Sequence, residues 1–165
     1  KTQARIVEVA LKAVTAIGIE NGPSHTEIIV TNNGPKIVEL GARLGGDNIT
    51  THLVPLSTGV DMVKNSIEIA LGQMPDLSKK FSKGAAIRYF ETSVGQIMSI
   101  DGVMEAKAMD GVRQISFIKG LGEFANAISN SSDRIGFIIA QADTAEKAIE
   151  KCEMAMNRIK IGVKS

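Results

Sequence analysis

The amino-acid sequence predicts an α/β (α+β) protein in two lobes, built from helices and antiparallel strands. Three observations lead there. A stretch of helical period runs into two strand-like stretches separated by Asn32-Asn33-Gly34. A polar segment, residues 74–84, then breaks the apolar patterning. Beyond it come four β-rich runs and one helical run, a different texture from the first half.

Residues 3–18 place Ile6, Ala10, Ala13, Val14 and Ile17 on one side and Arg5, Glu8 and Lys12 on the other, a core-facing amphipathic helix. Gly18 or Asn21-Gly22-Pro23 ends it. Residues 24–31 alternate as a strand, with His25, Glu27 and Ile29 on one face. Residues 36–43 form its partner. Gly45-Gly46-Asp47-Asn48 then turns the chain into a helix carrying His52, with Asp47 or Asn48 as the N-cap. A further helix over about residues 59–72 turns Met62, Val63, Ile67 and Ala70 inward and stops at Gly72. Residues 74–84 hold Pro75, Gly84 and three lysines, and read as the boundary between lobes. AAIRYFET, GQIMSIDG, VRQISFIK and RIGFIIAQA are the strands of the second lobe. Residues 143–158 are a helix capped by Asp143 or Thr144, and IKIGV is an edge strand.

Bulk properties narrow the function. The chain has 165 residues, room for one sizeable domain or two small lobes. Its net charge of +1 supplies no field for nucleic acid or an acidic membrane. With no Trp and one Tyr it lacks stacking platforms for bases. No apolar run approaches the roughly 18 residues of a membrane span. The single cysteine, Cys152, forms no internal disulfide and fits a reducing cytoplasm; no His adjoins it, so it reads as a packing residue. Two histidines and one cysteine are too few for a zinc site. The chain does not start with Met but inside a helix, which suggests that an N-terminal part of the same protein precedes it.

The chemistry concentrates in residues 24–47, SHTEIIVTNNGPKIVELGARLGGD. Glu27 and Glu39 lie on adjacent strands, and their meeting depends on register. A three-residue loop, Asn32–Gly34, sets Glu27 opposite Glu39, with Cβ atoms roughly 4.5–5.5 Å apart. A two-residue loop, Asn33-Gly34, sets Glu27 opposite Leu40 and sends the glutamates to opposite faces. Opposed carboxylates repel, and either a shared proton or a hard divalent cation offsets that. Arg43 can grip a carboxylate or phosphate with two parallel hydrogen bonds. Gly45 and Gly46 allow backbone N–H groups to approach an anion ahead of a helix N-terminus. Together these pieces suit phosphoryl transfer.

GPSHTEIIVT, GPKIVELGARLGGD and the helical stretch that follows resemble the last part of an ATP-grasp domain, nearest to the L-amino acid ligase and carbamoyl-phosphate-synthase-like branch. The resemblance covers residues 1–73 best. It implies 74–84 as a linker and 85–165 as the small α+β lobe that follows. It implies an ATP- and Mg²⁺- (or Mn²⁺-) dependent ligase that joins a carboxylate to an amine or thiol through an acyl phosphate. By it Glu27 and Glu39 are the metal ligands, Arg43 contacts phosphate or acyl phosphate, and Gly45 and Gly46 form the cofactor-facing turn. His25, Arg43 and Asn48 face substrate. The alternatives are a carboxylating enzyme similar to biotin carboxylase or carbamoyl-phosphate synthase, and a non-catalytic nucleotide-binding or regulatory module. Gly41 departs from the resembled motif, which has Asn there. The chain lacks a glycine-rich flap and strand lysines for gripping nucleotide, so alone it is expected to bind Mg-ATP weakly and turn nothing over. Partners implied are small-molecule substrates and the preceding part of the protein, with room for a homodimer.

Among other residues, His52 is a candidate substrate contact, Arg113 and Arg134 read as solvated strand residues, and Lys119-Gly120-Leu121-Gly122 is a glycine turn.

Overall fold

Residues 1–164 are described by the structure, a computed structural model. Contacts divide the chain into two units. One comprises Lys1–Pro55 and Val60–Lys79; the other comprises Leu56–Gly59 and the chain from Lys80 onward.

The first unit opens with helix α1 (Thr2–Ala16), followed by a hairpin of β1 (His25–Thr31) and β2 (Gly34–Gly41). The helix packs on the hairpin but buries no residue fully, contrary to the core-facing expectation. Ile6, Ala10, Ala13 and Val14 are half-buried, whereas Ile17 is exposed. A two-stranded ribbon is too narrow to cover a whole apolar stripe, and Val7 and Leu11 form a second stripe that faces outward. After the hairpin come a π-helical segment (Ile49–Leu53), helix α2 (Val54–Thr58), whose residues from Leu56 onward belong to the second unit, and helix α3 (Met62–Ala70). Asp61 caps α3 by accepting from Lys64 N at 2.9 Å. The α3 residue buried is Asn65, while Ile67 and Ala70 are exposed rather than inward. Asn65 explains this. Its Nδ2 donates to Asp76 O (3.1 Å) and its Oδ1 accepts from Asp76 N (3.0 Å). The polar stretch after α3 is thus held by a side-chain amide that copies a backbone pair.

The second unit holds the apolar core. Its strands are β3 (Gly84–Tyr89), β4 (Gly95–Asp101), β5 (Val112–Phe117), β6 (Phe124–Ala125), β7 (Gly136–Ala142) and β8 (Lys160–Lys164). Two helices join them, α4 (Val103–Lys107) and α5 (Ala145–Met156). Two antiparallel sheets result, ordered β3-β7-β5 and β6-β4-β8. The edge strand expected at IKIGV is β8. Strand β7 is central, with Gly136–Gln141 buried, which is why GFIIAQ carries almost no polar residue. Helix α5 starts at Thr144, whose side chain accepts from Lys147 N, and packs on β3 and β7 with Ala148, Cys152 and Ala155 buried. Ile97, Ile138, Ile139 and Cys152 are the largest fully buried side chains, and the Phe90 and Phe117 rings stack 4.8 Å apart. Helix α4 has no counterpart in the sequence reading, because five residues are too short for a helical period.

The Cys152 thiol lies near Ala86 O (3.5 Å) and Ile138 O (3.7 Å), and burial pushes its pKa up to about 11. The folded state therefore keeps a proton that the unfolded chain releases from about pH 9 upward. The stabilisation is complete below that pH and is lost as pH rises toward about 11. Urea unfolding from pH 8 to 11 should show a decline in stability that the Cys152→Ala variant lacks. A thiol reagent at pH 8 should react only after denaturation.

Candidate active site

The hairpin sets the site, and its register differs from both sequence alternatives. Thr31 pairs with Gly34, so the loop is the two residues Asn32 and Asn33. The loop is braced by Thr31, whose Oγ1 donates to Gly34 O (2.9 Å) and accepts from Asn33 N (3.2 Å). Gly34 has φ +97°, a conformation that favours glycine, and the tip of the Arg5 guanidinium lies where a Cβ would stand. Continued unchanged, this register would set Glu27 against Val38 and send the glutamates to opposite faces. It changes between Ile28 and Glu27. Ile28 faces Ile37, Glu27 faces Glu39, and Val38 is the extra residue of a β-bulge. The two carboxylates oppose each other as expected, through a bulge and not through a three-residue loop.

Each carboxylate has a basic neighbour. His25 Nε2 lies 3.3 Å from Glu27 Oε1, two residues along the same face. Arg43 Nη2 donates to Glu39 Oε1 at 2.9 Å, and its Nη1 donates to Leu44 O at 3.1 Å. Glu27, Glu39 and Arg43 are all more than half exposed, whereas the His25 ring is mostly covered. An added Cβ on Gly41 would stand 3.3 Å from Arg43 Cγ, so the bare glycine leaves room for the Arg43 stem. A cavity of about 240 Å³ opens here, lined by His25, Glu27, Arg43, Gly46, Asp47 and Ile49. It joins one wall of the glutamate pair to the arginine and the glycine turn.

The turn departs from a simple capped helix. Asp47 (φ 50°) and Asn48 (φ 60°) are consecutive left-handed residues, a conformation that Asn and Asp tolerate best among non-glycines. Asn48 stands at the N-cap position, but its side chain caps nothing. Its carbonyl accepts from both His52 N and Leu53 N, which makes the following turn π-helical. Gly45 and Gly46 have different roles. A Cβ on Gly45 would lie 2.8 Å from His25 Nδ1 and 3.2 Å from Thr50 Oγ1, so Gly45 backs the imidazole instead of facing the cavity. Gly46 lines the cavity, with open space where its Cβ would be.

Sequence reading missed Thr50. It is 4% exposed, and its hydroxyl donates to Gly45 O at 2.9 Å, closing the turn from behind. A threonine five residues after a glycine carries no periodic signal, so only burial reveals it. Asp47 and Ile49 also join the cavity lining. His52 does not; its Nδ1 pairs with Thr51 Oγ1 at 2.8 Å. Nor is the 119–122 turn an anion cradle, since Gly120 N donates to Glu123 Oε2 and Lys119 Nζ to Phe124 O. Arg134 stacks over the Tyr89 ring at 3.9 Å.

Comparison with known proteins bears on the fold that carries this geometry. The chain shares its fold with the L-amino acid ligase of Bacillus licheniformis (TM-score 0.85, 24% identity), covering 99% of this chain and 41% of that one. It superposes as well on phosphoribosylglycinamide synthetase from Anaerococcus prevotii (TM-score 0.84, 25% identity), covering 98% and 43%. The chain is similar throughout to part of these ligases, the ATP-grasp class. More narrowly, residues 88–164 match the family model of L-amino acid ligase C-terminal domain 2. The protein y4rH of Sinorhizobium fredii, itself uncharacterised, is 31% identical over 94% of this chain and 32% of its own length. The chain thus spans about a third of that curated relative.

Replacing Thr50 by Val keeps its shape but leaves the Gly45 carbonyl without its donor. Urea unfolding should show a loss of about 1–3 kcal/mol. The His25 ring resonances should shift in this variant, and Thr50→Ser should restore both.

Proposed function

We propose that this chain supplies the metal- and phosphate-binding side of a ligase that uses ATP and Mg²⁺ to join a carboxylate to an amine or thiol. The observation that carries the reading is the bulged register that opposes Glu27 and Glu39 while Arg43 bridges Glu39 to the cavity. In this assignment residues 1–73 are the ATP-grasp part, 74–84 the linker and 85–165 the following lobe.

The donor set fits a hard cation. Among the described residues no group of three or more metal-ligating side chains converges. Two carboxylates, completed by phosphate oxygens and water, are what Mg²⁺ or Mn²⁺ accepts beside a nucleotide. Glu27 and Glu39 would hold the ion, which would draw off charge from the transferring phosphoryl group. Arg43 is held to Glu39 by an exposed pair, a weak bond that an anion can displace. Its guanidinium would then grip the acyl phosphate with two parallel hydrogen bonds. Gly46 lets an anionic group approach the backbone. His25 orients the Glu27 carboxylate and contacts substrate. The Asn48 side chain, in a turn residue between the lining residues Asp47 and Ile49, is left for the substrate.

In the reaction, the γ-phosphoryl group of ATP passes to the substrate carboxylate. The amine then attacks the acyl carbon and displaces phosphate, leaving amide, ADP and phosphate. The exposed apolar residues Val7 and Leu11 of α1, and Ile29 and Val38 of the hairpin, support the reading that another part of the same protein covers this unit. The match to a ligase domain family favours ligation over carboxylation.

Isothermal titration of ATP with Mg²⁺ into the whole protein tests the metal site. Glu27→Gln and Glu39→Gln should each weaken binding tenfold or more, and Glu8→Gln on α1 should not. Undiminished binding in both site variants would remove it. Residues 1–165 alone should release no ADP from Mg-ATP, and measurable release would overturn the claim that catalysis needs more of the protein.

A further inference from the structure

The second unit contains a cavity of its own, about 340 Å³, against β5, which is an edge strand of its sheet. Lys107, at the end of α4, lines it together with Val112, Arg113, Gln114 and Ile115 of β5. No carboxylate is among these residues. Two cations therefore border one cavity with no counter-charge in its wall, an unfavourable arrangement unless an anion joins them.

Arg113 is held in place without being neutralised. Val112 pairs with Ala140 and Gln114 with Ile139, so Arg113 is the extra residue of a bulge, a feature that re-aims a side chain. Its Nε and Nη2 both donate to Gln141 Oε1, at 3.2 and 2.7 Å. Gln141 is 8% exposed and is itself fixed, since its Nε2 donates to Leu56 O and its backbone N to Gly111 O. A carboxylate in place of Gln141 would cancel the guanidinium charge. The amide orients the fork without supplying a counter-charge, with Nη1 bonded to nothing among the described residues. Lys107 Nζ likewise has no partner among them. Asp110, three residues before Arg113, is bonded to Lys151 and feels the Arg113 charge only as a lesser influence. A pre-oriented guanidinium lining the same cavity as an unpaired ammonium is the pairing that recognises compact oxyanions.

We propose that Lys107 and Arg113 form a binding site for a small doubly charged oxyanion, either a phosphate group or a short dicarboxylate. The site lies in the unit that does not contain Glu27 and Glu39, and it does not depend on the ligase reading.

Titration of the ¹⁵N-labelled intact protein tests this, with inorganic phosphate in one arm, succinate in another, and ionic strength held with chloride. Saturating shifts are expected at the Arg113 Nε–H and the amides of residues 112–115. The tighter of the two arms assigns the phosphate or the dicarboxylate source. Lys107→Ala and Arg113→Gln should each weaken binding at least tenfold, and Arg113→Lys should weaken it less than Arg113→Gln. Lys107 is exposed at a helix end, so its variant keeps the fold and decides the matter even if Arg113→Gln does not fold. Shifts that fail to saturate, or that persist unchanged in Lys107→Ala, mean an adventitious ion only and overturn the proposal.

Discussion

The extra residue at Val38 is the constraint on which the candidate site rests. The Asn32-Asn33 loop and the Gly34 conformation start the hairpin in a register that separates the two glutamates. One unpaired residue shifts every later pair, so Glu27 comes to face Glu39 and the His25 end of β1 comes to face Gly41. Side chains alternate along a strand, so no smaller change could exchange their faces. Everything that gives the cavity its character follows from that slip.

The two units stabilise themselves differently. In the hairpin unit the buried residues are Gly34, Thr50, Val60 and Asn65, and two of the four carry polar side chains. Burial of such groups is tolerable only when each is hydrogen-bonded, and Thr50 and Asn65 are. Both fasten loops: Thr50 the glycine turn, Asn65 the stretch at Asp76. The second unit relies instead on aliphatic packing between its sheets and α5. The charged groups of the candidate site therefore sit on a scaffold defined by directional bonds, where exposed ion pairs can be exchanged for ligands at little cost.

Much of this was legible in the residues. Alternation disclosed β1, and the cap at Thr144 marks a helix start that does occur. The facing of Glu27 and Glu39 was among the readings, but its cause was not. A bulge leaves no mark on an apolar pattern as short as Ile37-Val38, where both residues suit either face. The helix expected after Gly46 also has a different start. Local capping preference favours an α-turn from Asp47 or Asn48, yet both residues adopt left-handed backbone and the turn widens to π. Tertiary packing around Thr50 and His25 overrides the local preference there. Arg113 looked like a solvated strand residue because its partner, Gln141, is remote in sequence and belongs to another strand.

The tie at residues 56–59 has a bearing on how this gene could be cut and recombined. Leu56–Gly59 is counted with the second unit although the chain on either side belongs to the first. Leu56 O receives the Gln141 amide, Ser57 O accepts from Lys83 N, and Thr58 O accepts from Lys80 N. A cassette beginning at residue 80 would look complete by its strands and two helices, yet Gln141 would lose its acceptor and Lys80 and Lys83 their carbonyls. The second unit is thus discontinuous in the gene, and an exchange that moves it between proteins must carry the short α2 segment with it.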